Sequence, residues 1–339
     1  MIDLRSDTLT RPSKDMLEAM MNAPVGDDVF GEDPSINKLQ EDCAKLFGMD
    51  GSLFCPSGTM TNQIAISCHV QAFEEIILER DSHIYQYEGG GIFHHSRASV
   101  KLLDGNAGKI TAHQIKTAIN PVDIHRPTTK LVSLENTTNR GGGATYSIEE
   151  LREISKVCKE NNLLLHLDGA RFFNAHIIEN YDLNEIGQIF DSISICLSKG
   201  LGCPVGSLLL GSNEFLKKAL RVRKVFGGGM RQAGFLAAAG SYALERNIER
   251  LKEDHLLAKS IEKIIKNITY IEKSREVVSN IVIFDLDNEI DPNHFLSYLK
   301  ENNLLAVSFG GQAIRFVTHL DVDKDILKDI ENILNNYTY

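Results

Sequence analysis

Between residues 51 and 212 the chain alternates short apolar runs with amphipathic helical patterns, and that alternation restricts the fold more than any single motif does. Strands separated by helices at this spacing pair in parallel through right-handed crossovers. Residues 163–167 are nearly all apolar, as a central parallel strand covered on both faces must be, and the run ends at Asp168. Residues 75–78, 130–136 and 191–197 read as further strands, with 205–212 as a hairpin partner or close neighbour of the last. Helical patterns fill the gaps. Ser147 followed by Glu150 forms a capping box, and Ile148, Leu151, Ile154 and Val157 or Cys158 then share one face.

Three parts follow from this pattern. Residues 1–50 hold two helices, one after Pro12 and one after Pro34, and form an N-terminal arm expected to pack on a partner subunit. Residues 51–245 form the large, mostly parallel α/β domain. Residues 246–339 read β-α-β-β-α from residue 279 onward, a smaller C-terminal α+β domain, preceded by a long helix from about 232 to 247 that continues to about 266.

The 339 residues carry a formal net charge of −10, which argues against nucleic-acid binding, since that role needs a basic surface to replace counterions on phosphates. No stretch approaches the uncharged apolar length of a membrane span or a signal peptide, so a soluble cytoplasmic protein is expected. Cysteines 43, 55, 68, 158, 196 and 203 form no C-x-x-C pair and read as packed, reduced thiols.

Chemistry concentrates where strands end, because an open α/β sheet works at the carboxyl ends of its strands. Lys199 stands in a Ser-Lys-Gly turn after one strand; alone it is most often a solvated charge, but an amine in a partly dry pocket can also hold a carbonyl group. Asp168 ends another strand, where a buried carboxylate needs a cation or a protonated nitrogen. Arg171, three residues on, offers a purely structural partner; a heteroaromatic ring nitrogen is the alternative. His83 follows a third strand and can face a planar ligand or sit at the core edge. Ser57 and Thr59 can cap a helix whose start, with Gly58 letting the backbone close in, would cradle an anion. His166 and Asp168 share a strand face, but no further ligand has metal-site spacing. GGGMRQAG follows a basic helix and not a strand, so it is no dinucleotide loop.

Four pieces, a phosphate cradle, a stacking ring, a carboxylate and a lysine, meet the requirements of pyridoxal phosphate in this order along an α/β chain. The segments MIDLRSDTLTRP, VGDDVFGEDP, PSGTMTNQ, DSHIYQYE, LENTTNRGGG, HLDGARFFNA, CLSKGLGCPVGS, RKVFGGGMRQAG and IRFVTHLDV carry a resemblance, end to end, to the low-specificity L-threonine aldolases. The resemblance implies pyridoxal-phosphate fold type I and retro-aldol cleavage of L-threonine and L-allo-threonine to glycine and acetaldehyde. Other reactions on the same cofactor, such as β-elimination or racemisation, or an idle binding protein of this fold, are the alternatives. By the same resemblance Lys199 is the Schiff-base lysine, Asp168 the ring-nitrogen partner, His83 the stacking ring, and Gly58 and Thr59 the phosphate site. Ser6, Arg171 and Arg315 match substrate-carboxylate positions, and Tyr87 and Thr138 also face substrate. Lys224 and Arg231 correspond to basic residues near the active-site entrance, and the family suggests that some such residues act across a subunit interface, in a homo-oligomer that the resemblance makes a homotetramer. The family commonly has histidine where this chain has Thr138, and a threonine is no comparable base at neutral pH.

Overall fold

The computed structural model describes residues 1–338. After a two-residue strand β1 (Ile2–Asp3) come the strands of the large sheet: β2 (Gly51–Cys55), β3 (Glu74–Glu79), β4 (Ser99–Leu103), β5 (Thr128–Glu135), β6 (Leu164–Gly169), β7 (Ser192–Cys196) and β8 (Ser207–Gly211). Their order across the sheet is β2-β8-β7-β6-β5-β3-β4. From β7 through β4 all neighbours are parallel, while β8 is antiparallel to both β7 and β2. Two reversals restore direction, so β2 runs the same way as β7, and Cys55 and Cys196 both pair with Ser207 at one edge. The helix start at Gly58 therefore lies beside the end of β7, a placement that local sequence does not contain.

On β6 the pleat sends Leu165 and Leu167 into the principal core, while His166 and Asp168 alternate with them and contact the Gly58–His69 helix on the opposite face. All of these are buried, as the apolar run predicts. The Ser147–Glu150 capping box is present in full.

The helices Lys14–Met21 and Pro34–Leu46 pack on this chain's own principal core, in which Met16, Ile36, Leu39, Cys43 and Phe47 are fully buried. Their starts are fixed by Ser13 and by Asp33 with Pro34 behind it.

The C-terminal part contains a four-stranded antiparallel sheet built from β9 (Ile271–Ser274), β10 (Ile281–Leu286), β12 (Val307–Gly310) and β13 (Ala313–Val317), in the order β12-β13-β10-β9. A short strand β11 (Leu304–Leu305) pairs in parallel with β1, and Leu4 joins the second core beside Phe284, Phe295 and Phe316. The expected long helix is two, Gly234–Arg246 and Leu251–Ile265, broken at residues 247–250. The break has a partner: Asn247 Nδ2 donates to the Leu201 carbonyl at 2.7 Å, and Arg250 Nη2 to the Gly200 carbonyl at 3.5 Å. Strands β4 and β9 and the helices Ala112–Ala118, Phe172–Glu179 and Leu183–Ile189 complete elements that the sequence reading passed over.

Candidate active site

Because β3, β5, β6 and β7 are parallel, His83, Asn139, Asp168, Arg171 and Lys199 all emerge at one edge of the sheet. Asp168 accepts hydrogen bonds from Asn62 Nδ2 at 3.0 Å and from the Ala170 amide at 3.1 Å. Asn62 is held in turn, its Oδ1 lying 3.1 Å from His166 Nε2, while His166 Nδ1 meets the Ser192 hydroxyl at 2.8 Å and His69 meets the same hydroxyl at 2.8 Å. Burial pushes His166 down to about 3 and His69 to about 4, so both rings are neutral hydrogen-bonding members of the network. Both nitrogens of His166 are engaged.

Arg171 does not pair with Asp168. Its Nε and Nη2 form a fork on Asp7, at 2.7 and 2.8 Å, and Asn280 Nδ2 adds a third bond to Asp7 at 3.2 Å. Burial would raise the Asp7 carboxyl, but the Arg171 charge and hydrogen bonds, with Lys199 nearby, hold it at about 2. The remaining Nη1 of Arg171 reaches Asn139 Oδ1 at 3.4 Å, and Arg315 Nη1 reaches the same oxygen at 3.1 Å. Two guanidiniums thus converge on one amide. Arg315 is lowered to about 10 by burial and by the Arg171 charge, and its buried Nε has no partner among the described residues. Ser6 caps the short turn beginning at Asp7, and the Arg5 carbonyl accepts from Arg315 Nη2 at 3.0 Å.

His83 is fixed twice, by its backbone N–H to Glu135 Oε2 at 2.6 Å and by its ring Nδ1 at 3.1 Å from Glu88 Oε1. Burial alone would lower the imidazole, but the Glu88 hydrogen bond and the charges of Asp168 and Glu88 outweigh it, and the net shift is upward. Glu135 is pushed up to about 7 by burial and by Asp168, against amide bonds from His83 and Asn139. Tyr87, half exposed, sets its ring centroid 5.6 Å from that of His83.

Lys199 sits three residues beyond β7, in a loop closed by the Gly202 N–H to the Lys199 carbonyl at 2.8 Å. At the neighbouring helix start, Ser57 accepts from the Met60 amide, leaving the Gly58 and Thr59 amides at the first turn. A Cβ on Gly58 would lie 2.4 Å from Cys196 Sγ, so glycine is required for this close approach.

Thr138 is buried and donates its hydroxyl to the Ala107 carbonyl at 2.8 Å. Arg231 pairs with Asp27 at 2.8 Å, and Lys224 lines a groove of about 670 Å³ with Val29, Phe30 and Leu220. No hydrogen bond or ion pair joins Lys224 or Arg231 to the Lys199 edge among the described residues. Asp7, Asn62, Glu88, Glu135 and Asn139 were missed by sequence reasoning. Asp7 and Asn62 meet partners tens to hundreds of residues away, whereas Glu88 lies five residues from His83 and Glu135 four from Asn139, where only the carboxylates of LEN and QYE hinted at charge in otherwise apolar or glycine-rich surroundings.

The donors fit pyridoxal phosphate: free helix-start amides where only glycine fits, a buried carboxylate held by an amide, an imidazole beside it and a primary amine on the adjoining strand end. Together with the parallel sheet they define the class of fold type I pyridoxal-phosphate enzymes. Residues 3–288 match the family model described as beta-eliminating lyase. The chain is 44% identical to the low specificity L-threonine aldolase of Escherichia coli K12, with 97% of each chain covered, and 38% identical to low-specificity L-threonine aldolase 1 of Arabidopsis thaliana, covering 94% of this chain and 91% of that one. A solved threonine aldolase from Leishmania major superposes with a TM-score of 0.86 over 99% of both chains, at 24% identity, and so shares the fold. The chain belongs to the low-specificity L-threonine aldolase family and is a pyridoxal-phosphate-dependent lyase.

Proposed function

We propose that the protein cleaves L-threonine and L-allo-threonine to glycine and acetaldehyde. The observation that carries this reading is the convergence of His83, Asp168, Arg171, Lys199 and Arg315 at one sheet edge, in a chain with full-length aldolase relatives. Bound pyridoxal phosphate supplies the sink for the electron pair released when the Cα–Cβ bond breaks.

The chain's own groups do the rest. Lys199 would provide the amine that holds the cofactor's aldehyde carbon. The Gly58 and Thr59 amides would take its phosphate, Asp168 would partner its ring nitrogen and His83 would stack on its ring. Arg315, with an uncompensated buried Nε, takes the substrate carboxylate together with Ser6 and the Nη1 of Arg171, whose one bond, to Asn139 Oδ1, is a long 3.4 Å. That grip orients the scissile bond. His83 accepts the β-hydroxyl proton as acetaldehyde leaves, and Cα takes up a proton to give glycine. Thr138, its hydroxyl already donated, acts as a pocket wall, and Tyr87, beside His83, as another.

Residues 51–245 hold the cofactor and 246–339 close over the substrate. The enzyme works in the cytoplasm as a homotetramer, with Lys224 and Arg231 at the entrance of a neighbouring subunit's site. Exposed Phe30 and Leu220 lining the 670 Å³ groove support a covered surface there. No helix among the described residues is long and apolar enough to cross a membrane.

The test is product analysis with each threonine epimer. Glycine and acetaldehyde in equal amounts, with no keto acid, are expected; 2-oxobutanoate would mean elimination and overturn the reading.

A further inference from the structure

We propose that Glu88 is a positioning residue for His83: its carboxylate holds the ring so that Nδ1 carries the proton and Nε2 faces the reacting hydroxyl. The inference rests on the reading of His83 as the hydroxyl's base and assigns what makes that base competent.

Glu88 is a carboxylate with a fully buried side chain, and among the described residues no lysine or arginine makes an ion pair with it. Burying such a group unpaired is costly, so its partners define its purpose. Asn62 Nδ2 donates to Oε1 at 2.9 Å and Gln63 Nε2 to Oε2 at 2.6 Å. These adjacent amides on the first turns of the Gly58–His69 helix occupy both oxygens and stop the carboxylate from swinging away. The remaining contact of Oε1 is His83 Nδ1 at 3.1 Å. An ionised carboxylate only accepts, so Nδ1 must be the donor, and the ring's lone pair is left on Nε2.

The charged groups facing His83 come from every strand end around it: Glu88 beyond β3, Glu135 on β5, Asp168 on β6 and Lys199 after β7. Lys199 opposes a proton on the ring, whereas Glu88 and Asp168 favour one. Asn62 divides the two carboxylates by donating one amide group to both, so that Asp168 stays turned to its own site and Glu88 to the imidazole. Glu135 fixes the His83 backbone, leaving ring orientation to Glu88. In the reaction the β-hydroxyl proton passes to Nε2 as Cα–Cβ breaks; the imidazolium is paired with Glu88 until it returns that proton to water.

The test uses the protein labelled with ¹⁵N-histidine, first without cofactor. In the unaltered protein His83 is expected to show the Nδ1-protonated tautomer above its titration and a midpoint above that of an exposed histidine. Glu88→Gln is expected to lower that midpoint by roughly one pH unit, since it removes the neighbouring charge. In the cofactor-loaded enzyme the acid limb of kcat/KM is expected to move down with it, with a plateau roughly 10-fold lower. Glu88→Asp, which keeps the charge but shortens its reach, is expected to restore the midpoint in part. An Nε2-protonated tautomer in the unaltered protein, or an unmoved His83 midpoint in folded Glu88→Gln, overturns the proposal. The tautomer measurement needs no variant to fold. Threonine cleavage by the unaltered enzyme reports separately on the aldolase reading, so the two can fail independently.

Discussion

Asp7 shows what a single buried charge does here. Its carboxyl is held at about 2, against an ordinary 3.8, because Arg171 and Asn280 bond to it inside the protein. A depressed folded-state value adds stability above pH 3.8 that is lost as pH falls through about 2, and the gap corresponds to about 2 kcal/mol. Asp7→Asn is expected to flatten the loss of stability between pH 4 and 2, and to cost about 3–5 kcal/mol at neutral pH by leaving Arg171 unpaired. Urea titrations across that pH range check both. Thr138 is the second residue of interest. A Cβ on Gly108 would approach its Cβ to 2.8 Å, and its hydroxyl holds the Ala107 carbonyl, so the position has no spare room. Thr138→His is therefore expected to destabilise by about 1–3 kcal/mol. Calorimetry decides it: an unchanged Tm would show that the 104–109 turn yields easily.

Elements set the geometry that residues use. Of the predicted strands, the run at 163–167 was legible because apolar residues on both faces admit only a sheet interior. Ser147 and Ser57 were legible as helix starts because capping is local, two or three residues long. Strand β4 was not, since it is a half-exposed edge strand with no clean alternation, and the Phe172–Glu179 helix was not, since it is apolar on most faces and lacks a 3.6-residue contrast. The break at 247–250 was hidden for another reason: Asn247 and Arg250 leave the helical path to bond the loop that carries Lys199, some fifty residues back. Asn247→Ala is expected to cost about 1 kcal/mol and to loosen that loop. Denaturant midpoints would report the first effect, and weaker retention of cofactor absorbance the second.

At the scale of the whole molecule, the first residues stitch the two sheets together. Strand β1 pairs with β11, Leu4 fills the second core, and Asp7 reaches both Arg171 from the large sheet and Asn280 from the small one. Removing residues 1–12 takes all three away. The truncated chain is expected to fall in Tm by roughly 6 °C or more, and to lose affinity for substrate before affinity for cofactor, because Arg171 and Arg315 lose their alignment while the Gly58 cradle is untouched. Scanning calorimetry and titration of cofactor absorbance separate the two losses. A truncation that keeps both Tm and substrate affinity would show that the N-terminal strand is dispensable.

The sequence by itself determined the α/β class, the strand ends that present His83, Asp168 and Lys199, the helix start at Gly58 and the family of the chain. Each is written in a window of a few residues or in a motif, where apolar periodicity, capping and turn chemistry act locally. The tertiary structure alone decided who meets whom. Arg171 satisfies Asp7 rather than Asp168, two arginines share Asn139, and Glu88 grips His83 while Asn62 restrains Glu88 and Asp168 together. Most of those pairings join residues tens to hundreds of positions apart, and even His83 and Glu88, five apart, depend on Asn62 and Gln63 of a separate helix to hold the carboxylate; sheet order and the need to compensate buried charge decide them.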